Sequence, residues 1–163
     1  MSDQLNINAA LPDEEIYEAL LPQIKSLLAK EDGVICNLAN FTAALKEAFT
    51  KISWVGFYIA EEDKLTLGPF QGKVACTKIA FGGGVCGASA ERKETIVVPN
   101  TELFEGHIAC DSGSKSEIVV PLLLNGKVWG VLDLDSYSYN SFNQTDRKYL
   151  ELLCGFLTSE IIY

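Results

Sequence analysis

Three of the five cysteines, the one histidine and the carboxylates Glu117, Asp133 and Asp135 fall in the stretch from Lys73 to Asp135. Cys76 stands in VACTKIAF, Cys86 in GGGVCGASA, His107, Cys110 and Glu117 in GHIACDSGSKSE, and Asp133 and Asp135 in WGVLDLDS. A thiol reacts as its thiolate, which a helix N-terminus or a neighbouring cation favours. Cys86 follows Gly82-Gly83-Gly84 at an expected helix start, and Cys110 comes three residues after His107, the chain's one histidine. A cysteine oxidised to a sulfenic acid can be resolved by a second thiol, giving a disulfide that a dithiol then reduces. The odd count of five cysteines fits such chemistry better than a structural disulfide framework.

Metal binding by Cys76, Cys86, Cys110 and His107 is open by residue type. Cysteine spacings of ten and then twenty-four residues, without a CxxC pair, match no zinc pattern, so no metal is expected. The glycine run is not a phosphate loop, because no Gly-Lys-Ser/Thr follows it. Cys36 and Cys154 fall on expected helices and read as small packing residues, Cys36 half-buried.

Period-two alternation predicts which residues share strand faces. Over Ser53–Ala60, Trp54, Gly56 and Tyr58 face one way and Val55, Phe57 and Ile59 the other. Over Lys127–Asp135, Trp129, Val131, Asp133 and Asp135 share a face. Two aromatics around a glycine, with Asp133, Asp135 and Glu117 nearby, suit a small cation or a zwitterion carrying an ammonium group. Carboxylates held together also raise one another's pKa, so one can stay protonated and act as a general acid.

These residues need elements to position them. Pro12 with Asp13, Glu14 and Glu15 opens a helix that the apolar spacing carries to Glu31-Asp32-Gly33, and a second helix runs from Ile35 to Phe49. Ser53–Ala60 and Leu65–Gln71 form a hairpin about Glu61–Lys64, followed by an extended segment over Gly72–Ala80 and a short helix over Val85–Lys93. Glu94–Val98 is a strand, and residues 100–116 are a long loop of the kind that carries function. Glu117–Leu124 and Lys127–Asp135 pair about Asn125-Gly126, a strong hairpin signal. Asn143 caps a last helix with Asp146 in its first turn. The order predicts one α+β domain over residues 12–163, a mostly antiparallel six-stranded sheet with N- and C-terminal helices packed on one side, after a loose tail at 1–11.

With 163 residues, 48% hydrophobic and 21% charged, the chain suits one soluble globular domain. A net charge of −9 without a basic patch excludes nucleic acid as a partner. No secretory signal and no apolar run of membrane-spanning length is present, so a cytoplasmic protein with reduced thiols and no membrane association is expected.

The motifs VACTKIAFGGGVCG, GHIACDSGSKSEIVVPL and WGVLDLDS, with WVGFY upstream and SFNQTDRKYLELL downstream, resemble the GAF-domain free methionine-(R)-sulfoxide reductases over residues 50–155. The resemblance implies a GAF-like fold and reduction of free L-methionine-(R)-S-oxide to L-methionine through a cysteine sulfenic acid and an intramolecular disulfide. It implies Cys110 as nucleophile, Cys76 as principal resolving cysteine and Cys86 as an accessory one. Trp54, Tyr58, Glu117, Asp133 and Asp135 match the family's substrate-pocket positions. It further implies a cytosolic homodimer, no bound cofactor, and recycling by an external thioredoxin-type dithiol. Gly83, where a lysine or similar residue is expected, and Asn100–Glu105 depart from the family pattern. The rival classes are a non-catalytic GAF module that binds a small ligand and a thiol redox sensor. A GAF sensor is usually joined to an output domain, for which this chain leaves no room.

Overall fold

A computed structural model describes residues 4–163. Its centre is a sheet of six strands: β1 (Trp54–Glu61), β2 (Lys64–Gln71), β3 (Lys78–Ala80), β4 (Ile96–Val98), β5 (Ser116–Leu124) and β6 (Lys127–Ser136). They lie in the order β3-β2-β1-β6-β5-β4, and every neighbouring pair is antiparallel. Three helices, α1 (Asp13–Leu27), α2 (Val34–Ala48) and α4 (Gln144–Phe156), cover one face, and the short α3 (Gly84–Arg92) lies on the other. This is the expected α+β architecture.

The two faces bury two different clusters, because alternate strand residues point opposite ways. Val55 and Phe57 of β1, Ile118, Val120 and Leu122 of β5, and Leu132 and Leu134 of β6 meet Leu20, Ile24, Phe41, Leu45, Leu150 and Leu153 of the helices. On the other side Trp54, Tyr58, Val119 and Val131 meet Ile79, Val85, Cys86 and Ala90. The large helical layer is the main source of hydrophobic stability. The opposite layer is thinner, and its uncovered part holds the polar residues.

Local chemistry explains the junctions. Asn143 Oδ1 accepts from Thr145 N at 2.8 Å while Asp146 Oδ2 accepts from Asn143 N at 2.9 Å, so the expected cap of α4 is reciprocal. The other Asp146 oxygen accepts from Tyr17 Oη at 2.8 Å and Lys51 Nζ at 2.7 Å, which locks α4 to α1. Asn125 and Gly126 both take positive φ, 52° and 74°, the turn that suits a right-twisted hairpin.

Several expectations are corrected. The first helix stops at Leu27, and a single tight turn over Lys30–Asp32 separates it from α2. The buried Asn37 amide bonds the Ala29 N–H and carbonyl and the Gly33 carbonyl, holding this reversal where a continuing helix would leave Asn37 unpaired. Cys36 is exposed, since the buried stripe of α2 runs through Leu38, Phe41, Leu45 and Ala48. Residues 72–77 are not a strand. Gly72, at φ 138°, turns the chain out of the ladder, and the Trp54 and Tyr58 side chains hold the loop until the Leu67 N–H bond to the Thr77 carbonyl at 3.0 Å.

Trp129 packs with the helical layer rather than beside Val131. Gly130 pairs with Leu122 and Val128 with Leu123, so Trp129 is the extra residue of a bulge that reverses its face. In the N-terminal segment, residues 1–3 lie outside the described residues. Leu5 and Ile7 pack on the core, and Asn6 exchanges hydrogen bonds with Gln23 at 2.7 and 3.1 Å.

Candidate active site

The strand registers assemble an acidic floor. Trp54 of β1 stands opposite Asp135 of β6, and Gly56 opposite Asp133. Glu117 of β5 stands opposite Asp135 from the other side, and Val119 opposite Asp133. One sheet face therefore carries Trp54, Tyr58, Glu117, Asp133 and Asp135 together, as the period-two reading requires.

The aromatics form a wall. Trp54 lies between Tyr58 and Phe70, with ring centroids at 6.1 and 5.4 Å. Its Nε1–H donates to the Lys73 carbonyl at 3.0 Å, and Tyr58 Oη donates to the Cys76 carbonyl at 2.9 Å. These two bonds hold the loop that carries Cys76 over the sheet.

α3 supplies the opposite side. A Cβ at Gly87 would collide with the Ala80 carbonyl, so the glycine lets α3 press against β3. That approach brings Cys86 down between the acids: its Sγ, one Glu117 oxygen and one Asp133 oxygen all lie within 4.8 Å of one another. Gly83 (φ −86°) precedes α3 and borders the cavity, where a Cβ would press on the Ala80 carbonyl and Ile108.

The long loop closes the site. Cys110 is joined to Cys76 by a disulfide with Cα atoms 5.5 Å apart. His107 Nε2 shares a 3.2 Å hydrogen bond with Glu117 Oε2, and Ser114 Oγ donates to Asp135 Oδ1 at 2.6 Å. Beside Cys110, Asp111 accepts from Tyr137 Oη at 2.6 Å and Gly113 N at 3.0 Å, with Lys73 Nζ at 3.7 Å. That clasp ties the two cysteine-bearing loops together from outside. The space left beneath is about 30 Å³, room for roughly two water molecules.

Burial and like charge set the electrostatics. Glu117 is pushed well up by burial and then by Asp135, Asp133 by burial and then by Glu117, and Asp135 by burial and then by Asp133. The cluster therefore keeps its protons to higher pH than separate carboxyls would, unless a cation replaces them. Asp133 Oδ1 is buried without a hydrogen-bond partner among the described residues. Burial pushes the Cys86 thiol well up, and Asp133 and Glu117 add to it. Its expected thiolate character is thus corrected: the helix N-terminus is outweighed by burial beside two acids. His107 is lowered by burial, so it is a neutral partner of Glu117 and not a cation beside Cys110.

Every candidate residue named from the sequence falls at this one place. Trp54, Tyr58, Cys86, Cys110, Glu117, Asp133 and Asp135 line the cavity, and Cys76 reaches it through the disulfide. The set of three cysteines and His107 considered for zinc does not assemble as ligands, since Cys76 and Cys110 are bonded to each other. Ser114 and the Asp111–Tyr137–Lys73 clasp were not foreseen. His107 carried a signal as the lone histidine of a functional-looking loop; Ser114 carried none.

The GAF domain model matches residues 14–161. A solved structure, the free methionine-R-sulfoxide reductase of Neisseria meningitidis in complex with its substrate, superposes with a TM-score of 0.92 at 45% identity, covering 96% of this chain and 93% of that one. The free methionine-R-sulfoxide reductase of Saccharomyces cerevisiae is 42% identical over 99% of this chain and 94% of its own length. The chain belongs to the GAF-domain free methionine-R-sulfoxide reductase family. Another relative, GAF domain-containing protein A of Dictyostelium discoideum, is 53% identical over 92% of this chain and 94% of its own length. In this family member the acidic floor, the aromatic wall and the cysteine pair occupy one pocket. Among the described residues no helix is long and apolar enough to cross a membrane.

Proposed function

We propose that this chain reduces free L-methionine-(R)-S-oxide to L-methionine. The relatives named above support the activity, and the carrying observation is the Cys76–Cys110 disulfide at the mouth of a pocket whose lining includes Trp54, Glu117, Asp133 and Asp135. Cys110 lines the cavity and Cys76 does not, which favours Cys110 as the nucleophile and Cys76 as the resolving thiol.

In the reduced chain the Cys110 thiolate attacks the sulfoxide sulfur. A protonated carboxyl of the Glu117–Asp133 pair delivers a proton to the sulfoxide oxygen, whose acceptance breaks the sulfur–oxygen bond of the substrate. The released hydroxide adds to Cys110 sulfur as its bond to the substrate sulfur breaks, so methionine leaves and Cys110 carries the oxygen as a sulfenic acid. The Cys76 thiolate then attacks Cys110 sulfur, water departs, and the disulfide forms. Two thiols have been oxidised and one sulfoxide reduced, so the electrons balance. An external dithiol of thioredoxin type restores both thiols by exchange, in a reducing compartment. Cys86 serves as the accessory thiol. No resident cofactor enters this scheme, and a homodimer is the assembly we assign.

The Trp54 and Tyr58 rings hold the sulfoxide methyl end, and the carboxylates receive the substrate ammonium. The free space beneath the disulfide is small, about 30 Å³, and we expect the loop bearing Cys110 to open when the disulfide is reduced. The deciding assay couples reductant consumption to free methionine-(R)-sulfoxide in the wild type and in Cys110→Ser. Turnover lost in the variant supports the scheme; undiminished turnover removes Cys110 from it.

A further inference from the structure

The scheme above gives Cys86 only an accessory part, yet the fold buries its thiol between two carboxyls. Cys86 Sγ, a Glu117 oxygen and an Asp133 oxygen lie mutually within 4.8 Å. Asp133 Oδ1 is buried, has no hydrogen-bond partner among the described residues, and belongs to a side chain that lines the cavity. One thiol and two carboxyls from three elements, α3, β5 and β6, thus converge, and one of the carboxyls keeps an unused acceptor.

We propose that this chain binds one zinc ion through Cys86 Sγ, Glu117 and Asp133, and that zinc and the amino-acid substrate exclude each other. Mixed sulfur and oxygen donors select zinc over magnesium or calcium, which take oxygen ligands. Three protein donors leave a fourth, water-filled position, as in open zinc sites. Tetrahedral zinc needs its donors roughly 3.3–3.8 Å apart, so the cluster closes by at most about 1.5 Å. His107 is placed to orient the Glu117 ligand through its 3.2 Å hydrogen bond. The cavity of about 30 Å³ accepts an ion with one water. With Cys76 and Cys110 bonded to each other, Cys86 is the free thiol that lines it. On binding, the thiol proton and any carboxyl protons pass to solvent and no redox change occurs. The exclusion half rests on the substrate reading given above, because both occupants need the same carboxylates; the zinc half does not.

The test uses Cys36→Ser protein, which removes the exposed thiol, with the disulfide intact and no added reductant. Equilibrium dialysis against zinc should give about one ion per chain, with affinity at least about tenfold weaker in Cys86→Ser and Asp133→Asn. Cobalt in place of zinc should give thiolate-to-metal charge-transfer absorption, kept in Cys154→Ser and lost in Cys86→Ser. The cobalt spectrum of Cys36→Ser protein itself decides the matter if a ligand variant fails to fold. No metal uptake, or uptake without the charge-transfer band, overturns the site. In turnover assays with chelator-buffered zinc the apparent KM should rise and recover when zinc is withdrawn; a KM indifferent to zinc at full occupancy overturns the exclusion. A chain that turns nothing over even without zinc counts against the reductase reading and leaves the dialysis result standing.

Discussion

The Trp54 indole lies over Gly56, two residues along the same strand, and fills the space where a side chain at Gly56 would stand. A Cβ there would run into the far edge of the Trp54 ring and into Phe70 Cβ. Gly72 backs the other end of the indole in the same way. The wall of the pocket is thus built from an aromatic and the absence of its neighbour's side chain.

Gly56→Ala therefore displaces Trp54. Overpacking of this kind costs about 1–3 kcal/mol, so the melting temperature should fall by several degrees. The displaced ring should also raise KM for free methionine sulfoxide more than it lowers kcat. Thermal melts with steady-state kinetics check both; an unchanged KM would mean that Trp54 does not meet the substrate.

Cys76→Ser should give one methionine per chain in a single-turnover experiment and then stall or slow sharply, because Cys110 reacts once and lacks its resolving thiol. Cys110→Ser should give none. Mass spectrometry of stalled Cys76→Ser, with a dimedone-type trap, should find the sulfenic acid on Cys110. Multiple turnovers in Cys110→Ser would end the assignment.

How much of this was legible beforehand follows from what fixes each feature. Period two placed Trp54, Tyr58, Asp133 and Asp135 on one face because the pleat leaves no alternative. The same rule failed at Trp129, where a bulge adds a residue that no local signal marks. The reactive thiolate expected at Cys86 came from reading a helix N-terminus by itself. Burial against Glu117 and Asp133 is a tertiary fact, and it reverses the sign. Likewise His107 beside Cys110 in sequence finds its partner ten residues away, on a strand.

Asp133 should lower stability at neutral pH. Its folded pKa is raised by burial and Glu117 above the ordinary value of 3.8. Below about pH 4 both folded and unfolded chains carry the proton, so the group costs nothing. As pH rises past the unfolded value, the unfolded chain releases the proton first, and stability falls until the folded pKa is reached. Asp133→Asn removes this loss. It should stabilise the apo protein at pH 7 by about 1–3 kcal/mol, the order of the linkage free energy of an upshifted buried carboxyl, with the gain shrinking toward pH 4. Denaturant unfolding at both pH values measures it, and a gain independent of pH would refute the titration argument.

The acids should also decide what kind of substrate enters. Glu117, Asp133 and Asp135 repel one another in a poorly solvated pocket unless protons or a cation intervene. A free ammonium supplies that cation through charge-assisted hydrogen bonds, each worth about 1.5–3 kcal/mol. N-acetylation removes the charge and leaves the carboxylates facing an amide, so the loss should exceed that of one neutral hydrogen bond. A fall of about a hundredfold or more in kcat/KM is expected for N-acetylmethionine-(R)-sulfoxide against the free amino acid. Asp135→Asn should narrow the gap, because it harms the charged substrate more than the blocked one. Both substrates are compared under the same reductant in wild type and variant. Equal kcat/KM for the two in the wild type would mean that these acids do not read the ammonium, and the substrate would have to sit in the pocket some other way.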